Sequence, residues 1–459
     1  MLRKLRIQKF KAWADTGYIR LAPITVLFGG NSAGKSSVSQ FLLSLKQTVE
    51  SPDRKRVLHL GDRNSLVDLG TFRDVIFNHD EDSELQLELA FDLDQPKSVR
   101  DAKSDKEYTG SSIDFSVNWR MAGRRLIVHR LKYRLGDPQE TGFAVSFSRE
   151  STARSRYRLE ADNYSLVRNK GRGWPLPEPV KFYKFPDEAT AYYQNTGFLD
   201  DLALWMEQTF DRMYYLGPLR EYPARSYIWS GEHPSHVGLR GDRAIEALLA
   251  GGERQISAGY MRKYRPLQEV VARWLRKMGL ISEFEVRPIA QNRKEYEVVV
   301  SSYKGGSSVN LPDVGFGVSQ VLPVIVQCFY APRASTVIFE QPEIHLHPSV
   351  QASLADLFIE AMRSKEDGEE RANQFIIESH SEHFLRRLQR RIAEEEIKNE
   401  DVAIYFCEQT PSGARLRELE IDIFGNITNW PEHFFGDEIG DLAAMTTAAM
   451  RRQSKDTND

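Results

Sequence analysis

The residues with most to offer chemically stand near the start of the chain: Gly29-Gly30-Asn31-Ser32-Ala33-Gly34-Lys35-Ser36, followed by Ser37. The run fits G-x-x-x-x-G-K-[ST] at every position. Glycines let a backbone approach phosphate closely, and successive N–H groups turned inward cradle its oxygens. Lys35 would neutralise the β- and γ-phosphates of a nucleotide, and the Ser36 hydroxyl would sit on Mg2+. Such a loop also needs an acid at the end of a neighbouring buried strand to hold the metal. Thr336-Val337-Ile338-Phe339-Glu340 supplies it, so Glu340 is the metal-side candidate, directly or through water, and Gln341-Pro342-Glu343 follow. A third apolar run, Phe375-Ile376-Ile377, ends in Glu378-Ser379-His380. There His380 could donate to a γ-phosphate or orient an attacking water. Each piece has a bland counterpart in a glycine turn, an exposed acid or a packing histidine; together they favour phosphate chemistry.

Elements that could position these residues are visible in the hydrophobic period. Thr25-Val26-Leu27-Phe28 reads as a buried strand into the glycine loop, and Val38, Phe41, Leu42 and Leu45 mark one helical face after it. From Glu84 the period becomes two, at Leu85, Leu87, Leu89 and Phe91, then Ile113 to Trp119, Leu131 to Leu135 and Phe143 to Phe147. That succession predicts an antiparallel meander with one wet face. Helices are expected over Phe198–Phe210 and over Leu267–Met278, the latter stopping at Gly279. The buried strands 336–339 and 374–377 flank a helix over 349–363 opened by Pro348. The fold class is therefore α/β. Residues 1–80 and 310–435 form a phosphate-binding head split in sequence, 81–310 an inserted β-meander and helical subdomain, and 436–459 a C-terminal helix and polar tail.

Composition narrows the class. The chain has 459 residues, 41% hydrophobic and 28% charged, as for a folded globular protein. No apolar stretch is long enough to span a bilayer, and the first residues lack a signal-peptide core. Cys328 and Cys407 lie far apart in apolar runs and are expected as buried thiols in a reducing compartment. A net charge of −3 argues against coating nucleic acid through bulk charge while leaving room for a local basic groove. The expectation is a cytoplasmic protein.

The motifs together resemble an ABC-type ATPase head. Asn31 before Ala33-Gly34-Lys35-Ser36-Ser37, the acid-ended strand into Pro342–Pro348, and Glu378-Ser379-His380-Ser381-Glu382-His383 are similar to the branch of the OLD-family nucleases and the PtuA ATPase of the Septu anti-phage system. Phe10-Lys11, Tyr215–Arg220 and Asp313–Gln320 resemble the same branch. The resemblance implies ATP and Mg2+ as ligands and a head-to-tail dimer, in which Gly315, Gly317 and Ser319 of one copy close on the nucleotide of the other. It also implies a prokaryotic defence or DNA-processing complex with a separate effector such as a nuclease, since no Toprim-like acidic cluster follows the ATPase. Two positions depart from the pattern. Gln341 stands where the catalytic glutamate usually follows the strand acid, so either hydrolysis is slow or Glu343 serves one turn on. The signature loop reads Gly315-Phe316-Gly317 with its serine, Ser319, later. The region Asp68–Asp74 also lacks the family's metal-sensing glutamine.

Other clusters carry weaker signals. His345, His347, His380 and His383 with Glu343 and Glu378 make no compact tetrahedral set. Arg149, Arg154, Arg156, Arg158, Arg168, Lys170 and Arg172, interleaved with Tyr157, Tyr164 and Trp174, could hold a single strand by phosphate neutralisation and stacking, or form a solvated loop. Arg386, Arg387, Arg390 and Arg391 read as a solvated helical face balanced by Glu394–Glu396. Arg220 and Arg225 are anchored by turns and could reach nucleotide or partner. A nucleotide-gated, poorly hydrolysing scaffold that sequesters a toxin-like partner is the alternative to a working ATPase, and Gln341 favours it. A transporter's nucleotide-binding subunit is disfavoured by the large meander and the unusual signature loop.

Overall fold

The computed structural model describes residues 1–101, 103–136, 142–150, 156–171, 174–258, 263–303, 305–431, 434 and 444–450. Its centre is a six-stranded sheet in the spatial order Met213–Leu216, Thr336–Glu340, Gln374–Glu378, Ile24–Gly29, Val402–Thr410, Gly413–Glu418. The first five strands are parallel and only the last is antiparallel. Strands buried on both faces carry continuous apolar runs, and Val337-Ile338-Phe339 and Phe375-Ile376-Ile377 are fully buried accordingly. Register brings Glu340 opposite Glu378, Glu378 opposite Leu27, and Cys407 opposite Gly29. The ends of these strands therefore meet at the carboxyl edge, where ligands of open α/β sheets bind. This is the α/β P-loop head, split in sequence, that the residue pattern led us to expect.

Helices cover both faces. The P-loop helix Lys35–Glu50 and the helix Phe198–Asp211 pack into one core with Leu27, Ile338 and Ile376. On the other face Val26, Val337 and Ile377 share a core with the helices Leu267–Lys277, Phe316–Tyr330, Pro348–Met362 and Glu382–Ala393. The expected stop of the 267–277 helix is present, with Gly279 at φ 70°.

The meander of alternating residues is a sheet of eight strands whose buried side completes the P-loop helix's core. It contains Leu85–Asp101, Lys106–Ala122, Arg125–Gly136, Phe143–Arg149 and Tyr157–Asp162, antiparallel in succession. It also contains Leu2–Phe10, paired antiparallel with Leu85–Asp101. The N-terminal alternation of charge with hydrophobe is thus a strand of this sheet. Hydrogen bonds cross both expected edges of the 81–310 segment, because Leu2–Phe10 pairs with Leu85–Asp101 and Met213–Leu216 with Thr336–Glu340. The expected insert thus contributes the outermost strand of the parallel sheet. Of the expected tail at 436–459, residues 444–450 are helical and the others lie outside the described residues. Cys328 and Cys407 are free and buried, as expected.

Candidate functional site

The loop after Ile24–Gly29 takes the conformation that its glycines permit. Gly29, Ser32 and Gly34 have φ of 141°, 62° and 92°. A Cβ at Gly29 would lie 2.2 Å from the Cys407 carbonyl oxygen, so the loop can pass the neighbouring strand only without a side chain there. Gly30, Asn31 and Ser32 form an exposed crown, whereas Ala33 and Ser37 are buried. The P-loop helix starts at Lys35, so its free N–H groups and positive dipole end open onto the loop. Trp13 braces it from the antiparallel sheet, donating Nε1–H to the Gly34 carbonyl at 3.2 Å. Lys35 is 4% exposed and donates to the carbonyls of Gly29 and Gly30 at 2.9 and 2.7 Å. Burial lowers its pKa, and the nearby Glu378 opposes that shift.

Three buried carboxylates stand at the adjoining strand ends. Ser36 Oγ donates to Glu378 Oε1 at 2.9 Å. Burial raises the Glu378 pKa against the pull of Ser36 and Lys35. Glu340 is pushed up to about 7, first by burial and then by the like charge of Glu378. Glu343 accepts the His380 backbone N–H at 2.6 Å, and its pKa too is raised by burial. One oxygen on each acid, Glu340 Oε1, Glu343 Oε2 and Glu378 Oε2, is buried without a hydrogen-bond partner. Opposite them lies Arg220, 7% exposed, with no partner for any guanidinium nitrogen. Burial lowers its pKa to about 10, while Tyr215, Glu340 and Glu343 draw it back up. Buried charges so poorly satisfied are costly, and they occur where a charged ligand is to be received.

The remaining expected residues sort as follows. Gln341 sits between the acids in the left-handed region at φ 43°, donating its N–H to the Glu378 carbonyl at 2.8 Å. His380 is exposed beside Glu343, its pKa lowered by partial burial and by Lys35. Gly315 precedes the helix Phe316–Tyr330, whose first residue is exposed, with its ring 5.3 Å from that of His345. Gly317 lies in the first turn, and the Ser319 hydroxyl donates to the Phe316 carbonyl at 2.8 Å within its own helix. Arg225 reaches neither P-loop nor carboxylates; it pairs with Asp313 at 2.6 Å. His347 caps the helix Pro348–Met362, and among the described residues no group of three or more His, Cys, Asp or Glu converges as a metal cage. Arg387 and Arg391, read as solvated, instead bind the buried Asp356 of the neighbouring helix at 2.6 Å each.

In the basic stretch, Arg156, Arg158, Arg168, Trp174 and Tyr193 line a cleft of about 500 Å³ beside the edge strand of the antiparallel sheet. Tyr157 and Tyr164 turn inward, donating to the carbonyls of Val128 and Asn195, so of the expected stacking rings only Trp174 is exposed. Arg154 and Arg172 lie outside the described residues. Glu378 is the polar residue of the site to which the sequence motifs gave no role, and Arg220, which the sequence allowed to reach nucleotide or partner, is the one of the two turn-anchored arginines that lies here. Glu378 was legible as the end of an apolar strand, next to the more conspicuous His380.

A family described as "AAA domain, putative AbiEii toxin, Type IV TA system" matches residues 24–386. The chain belongs to this AAA family. With the phosphate loop and the buried strand acids, membership makes it an ATP-binding P-loop ATPase. A second family, described as a protein of unknown function (DUF3696), matches residues 397–445. No curated protein matches the chain significantly. Among solved structures the AAA chain is loosely similar to three heads. The SmcHead bound to the C-winged helix domain of ScpA is 11% identical, with 92% of this chain and 98% of that one covered and a TM-score of 0.40. The SMC head domain from Thermotoga maritima is 12% identical, with 92% and 99% covered and a TM-score of 0.40. The Smc head domain from Pyrococcus furiosus, with an extended coiled coil and bound to the C-terminal domain of ScpA, is 10% identical, with 91% and 96% covered and a TM-score of 0.39. No helix among the described residues is long and apolar enough to cross a membrane.

Proposed function

We propose that this AAA chain is the cytoplasmic ATPase subunit of a prokaryotic anti-phage defence or DNA-processing complex, of the branch that includes the OLD-family nucleases and the Septu ATPase. It dimerises head to tail around ATP and regulates a separate effector such as a nuclease. The observation that carries the ATP reading is the phosphate loop set against buried strand-end acids that keep unpartnered oxygens. Asn31 to Ser37 and the N-terminus of the P-loop helix receive the phosphates, and Lys35 exchanges its loop carbonyls for phosphate oxygens. Ser36 holds Mg2+ with a strand-end acid, Glu340 or Glu378. When bound, Mg2+ neutralises charge developing on the transferred phosphoryl group. Glu343 accepts a proton from water, or Gln341 orients that water, and His380 donates to the γ-phosphate. Gly315, Gly317 and Ser319 meet the nucleotide of the second copy. The exposed Phe316 at that helix start fits a surface that a partner covers. The Arg156–Arg168 cleft with Trp174 is where a single-stranded nucleic acid would lie.

A second reading follows from Gln341. Glutamine cannot take a proton, so the chain could bind ATP, turn it over barely, and use occupancy to hold or release a toxin-like partner. Steady-state phosphate release from Mg·ATP by the purified chain, with K35A and E343Q alongside, separates the two. Turnover abolished by both substitutions supports the working ATPase. Tight ATP binding without turnover, lost in K35A alone, supports the gated scaffold.

A further inference from the structure

The P-loop hydroxyl and the strand acids are not equidistant partners. The strand Gln374–Glu378 lies between Ile24–Gly29 and Thr336–Glu340, so Glu378 ends on the strand adjoining the P-loop and Glu340 one strand further out. Ser36 Oγ accordingly donates to Glu378 Oε1, at 2.9 Å. The side chains electrostatically coupled to Glu340 from the outer strand and its following turn are Tyr215 and Arg220. Glu378 is 3% exposed, and its other oxygen, Oε2, has no hydrogen-bond partner. A buried carboxylate oxygen left alone beside a hydroxyl is an arrangement that a hard divalent cation resolves, because such cations take oxygen ligands and bring the compensating charge.

On the reading of this site as one for a metal–nucleotide complex, the geometry points to Glu378, and not the motif acid Glu340, as the carboxylate that acts with Ser36 to hold the divalent cation, directly or through one water. Glu340 then serves on the other side of the cluster as counter-charge to Arg220, whose three nitrogens are buried without hydrogen-bond partners. The positively charged groups divide in the same way. Lys35 faces Glu378 most strongly and Glu343 less so from the P-loop, and Arg220 faces Glu340 and Glu343 from the outer strand.

The test uses the full chain loaded with ADP and Mn2+ as the probe, with the free cation followed by electron paramagnetic resonance. Fluorescent-nucleotide affinity is measured in parallel in EDTA. E378Q and S36A should each weaken Mn2+ binding roughly tenfold or more, the range expected when a group supporting a metal is removed. The double substitution S36A/E378Q should be no worse than about twofold beyond the weaker single variant, because the two groups act as one unit. E340Q should weaken Mn2+ binding clearly less than E378Q does. Affinity in EDTA should stay within about twofold in E378Q, which a merely unfolded variant could not do. Loss of Mn2+ in E340Q with retention in E378Q overturns the assignment and returns the role to Glu340. Should E378Q not fold, S36A and E340Q still decide: full Mn2+ binding by S36A, or its loss in E340Q, overturns it equally. Failure of the unsubstituted chain to bind nucleotide even in EDTA sinks the nucleotide reading itself, and this assignment with it. Nucleotide binding with Mn2+ following Glu340 sinks the assignment alone.

Discussion

The inner side of the antiparallel sheet buries Phe115, Trp119, Tyr133, Phe143 and Phe147, whereas the carboxyl edge of the parallel sheet buries Lys35, Arg220, Glu340, Glu343 and Glu378. In the first region each aromatic ring removes on the order of 150–250 Å² from water and stabilises the fold by a few kcal/mol. In the second, oxygens and guanidinium nitrogens lie out of water without partners, and each such group costs about 1–3 kcal/mol or more. The two regions meet at the P-loop helix, where Phe41 packs edge-on against Trp119 at 6.1 Å while Lys35 and Ser36 face the acids. One sheet therefore supports a helix whose first turn is held in an unfavourable polar setting. The molecule is built to be stable away from the site and to be relieved at the site by a charged ligand.

Four substitutions would break or sharpen this contrast. W119A should be the most damaging to folding, at about 3–5 kcal/mol by urea unfolding, since it empties a fully buried site against the P-loop helix. The nucleotide affinity of the folded fraction should hardly move; a parallel collapse of affinity would show that the regions are not separable. K35A should do the reverse, lowering ATP affinity by about three orders of magnitude in a binding titration through loss of charge-assisted hydrogen bonds, with little change in the unfolding midpoint. E343Q should keep nucleotide affinity and slow phosphate release about a hundredfold, the usual scale for losing a positioned proton acceptor. Unchanged turnover would move the proton to another group.

The smallest effect is expected at Asp356, a buried acid that is well paired. Burial pushes its pKa up, but Arg391 and Arg387 outweigh burial and hold it below the ordinary aspartate value. Its contribution is therefore present above the unfolded pKa, near 3.9, and is lost as pH falls through the lower folded pKa. D356N should cost about 1–2 kcal/mol at neutral pH, and the gap from the unsubstituted chain should close below roughly pH 4 in thermal or urea melts.

Local chemistry was legible in the sequence, and long-range pairing was not. The loop Gly29–Ser36, the acid-ended strand at Glu340 and the alternation from Leu85 to Phe147 are contiguous signals, and each stands in the structure as the element expected of it. Met213–Leu216 and Val402–Thr410 are short apolar runs whose periodicity does not reveal that they flank strands more than a hundred residues away. Leu2–Phe10 alternates openly, but its partner at Leu85–Asp101 is fixed by register across the chain. The same limit hid the burial of Arg220 against the acids, which depends on which strand the preceding Leu216 joins, and the Ser36–Glu378 bond, which exists because 374–378 slots in next to 24–29. The arginines at 387 and 391 misled for a related reason. Their nearest acids in sequence are Glu394–Glu396, and the acid both bind is Asp356.

The position of Ile24–Gly29 in its sheet also sets an order of assembly on the ribosome. Its two neighbours are Gln374–Glu378 and Val402–Thr410, so this strand has no partner until about 350 further residues have been made. At roughly 5–20 residues per second, that delay is on the order of tens of seconds. The antiparallel sheet needs only residues up to Asp162 and can close long before. A nascent chain thus passes through an interval in which its antiparallel sheet can be paired and the strand that carries its phosphate loop cannot. During that interval the apolar run Ile24–Phe28 is an open edge, exposed to any chaperone or to a second nascent copy, and ATP can serve as a ligand only to a chain synthesised at least as far as Glu378.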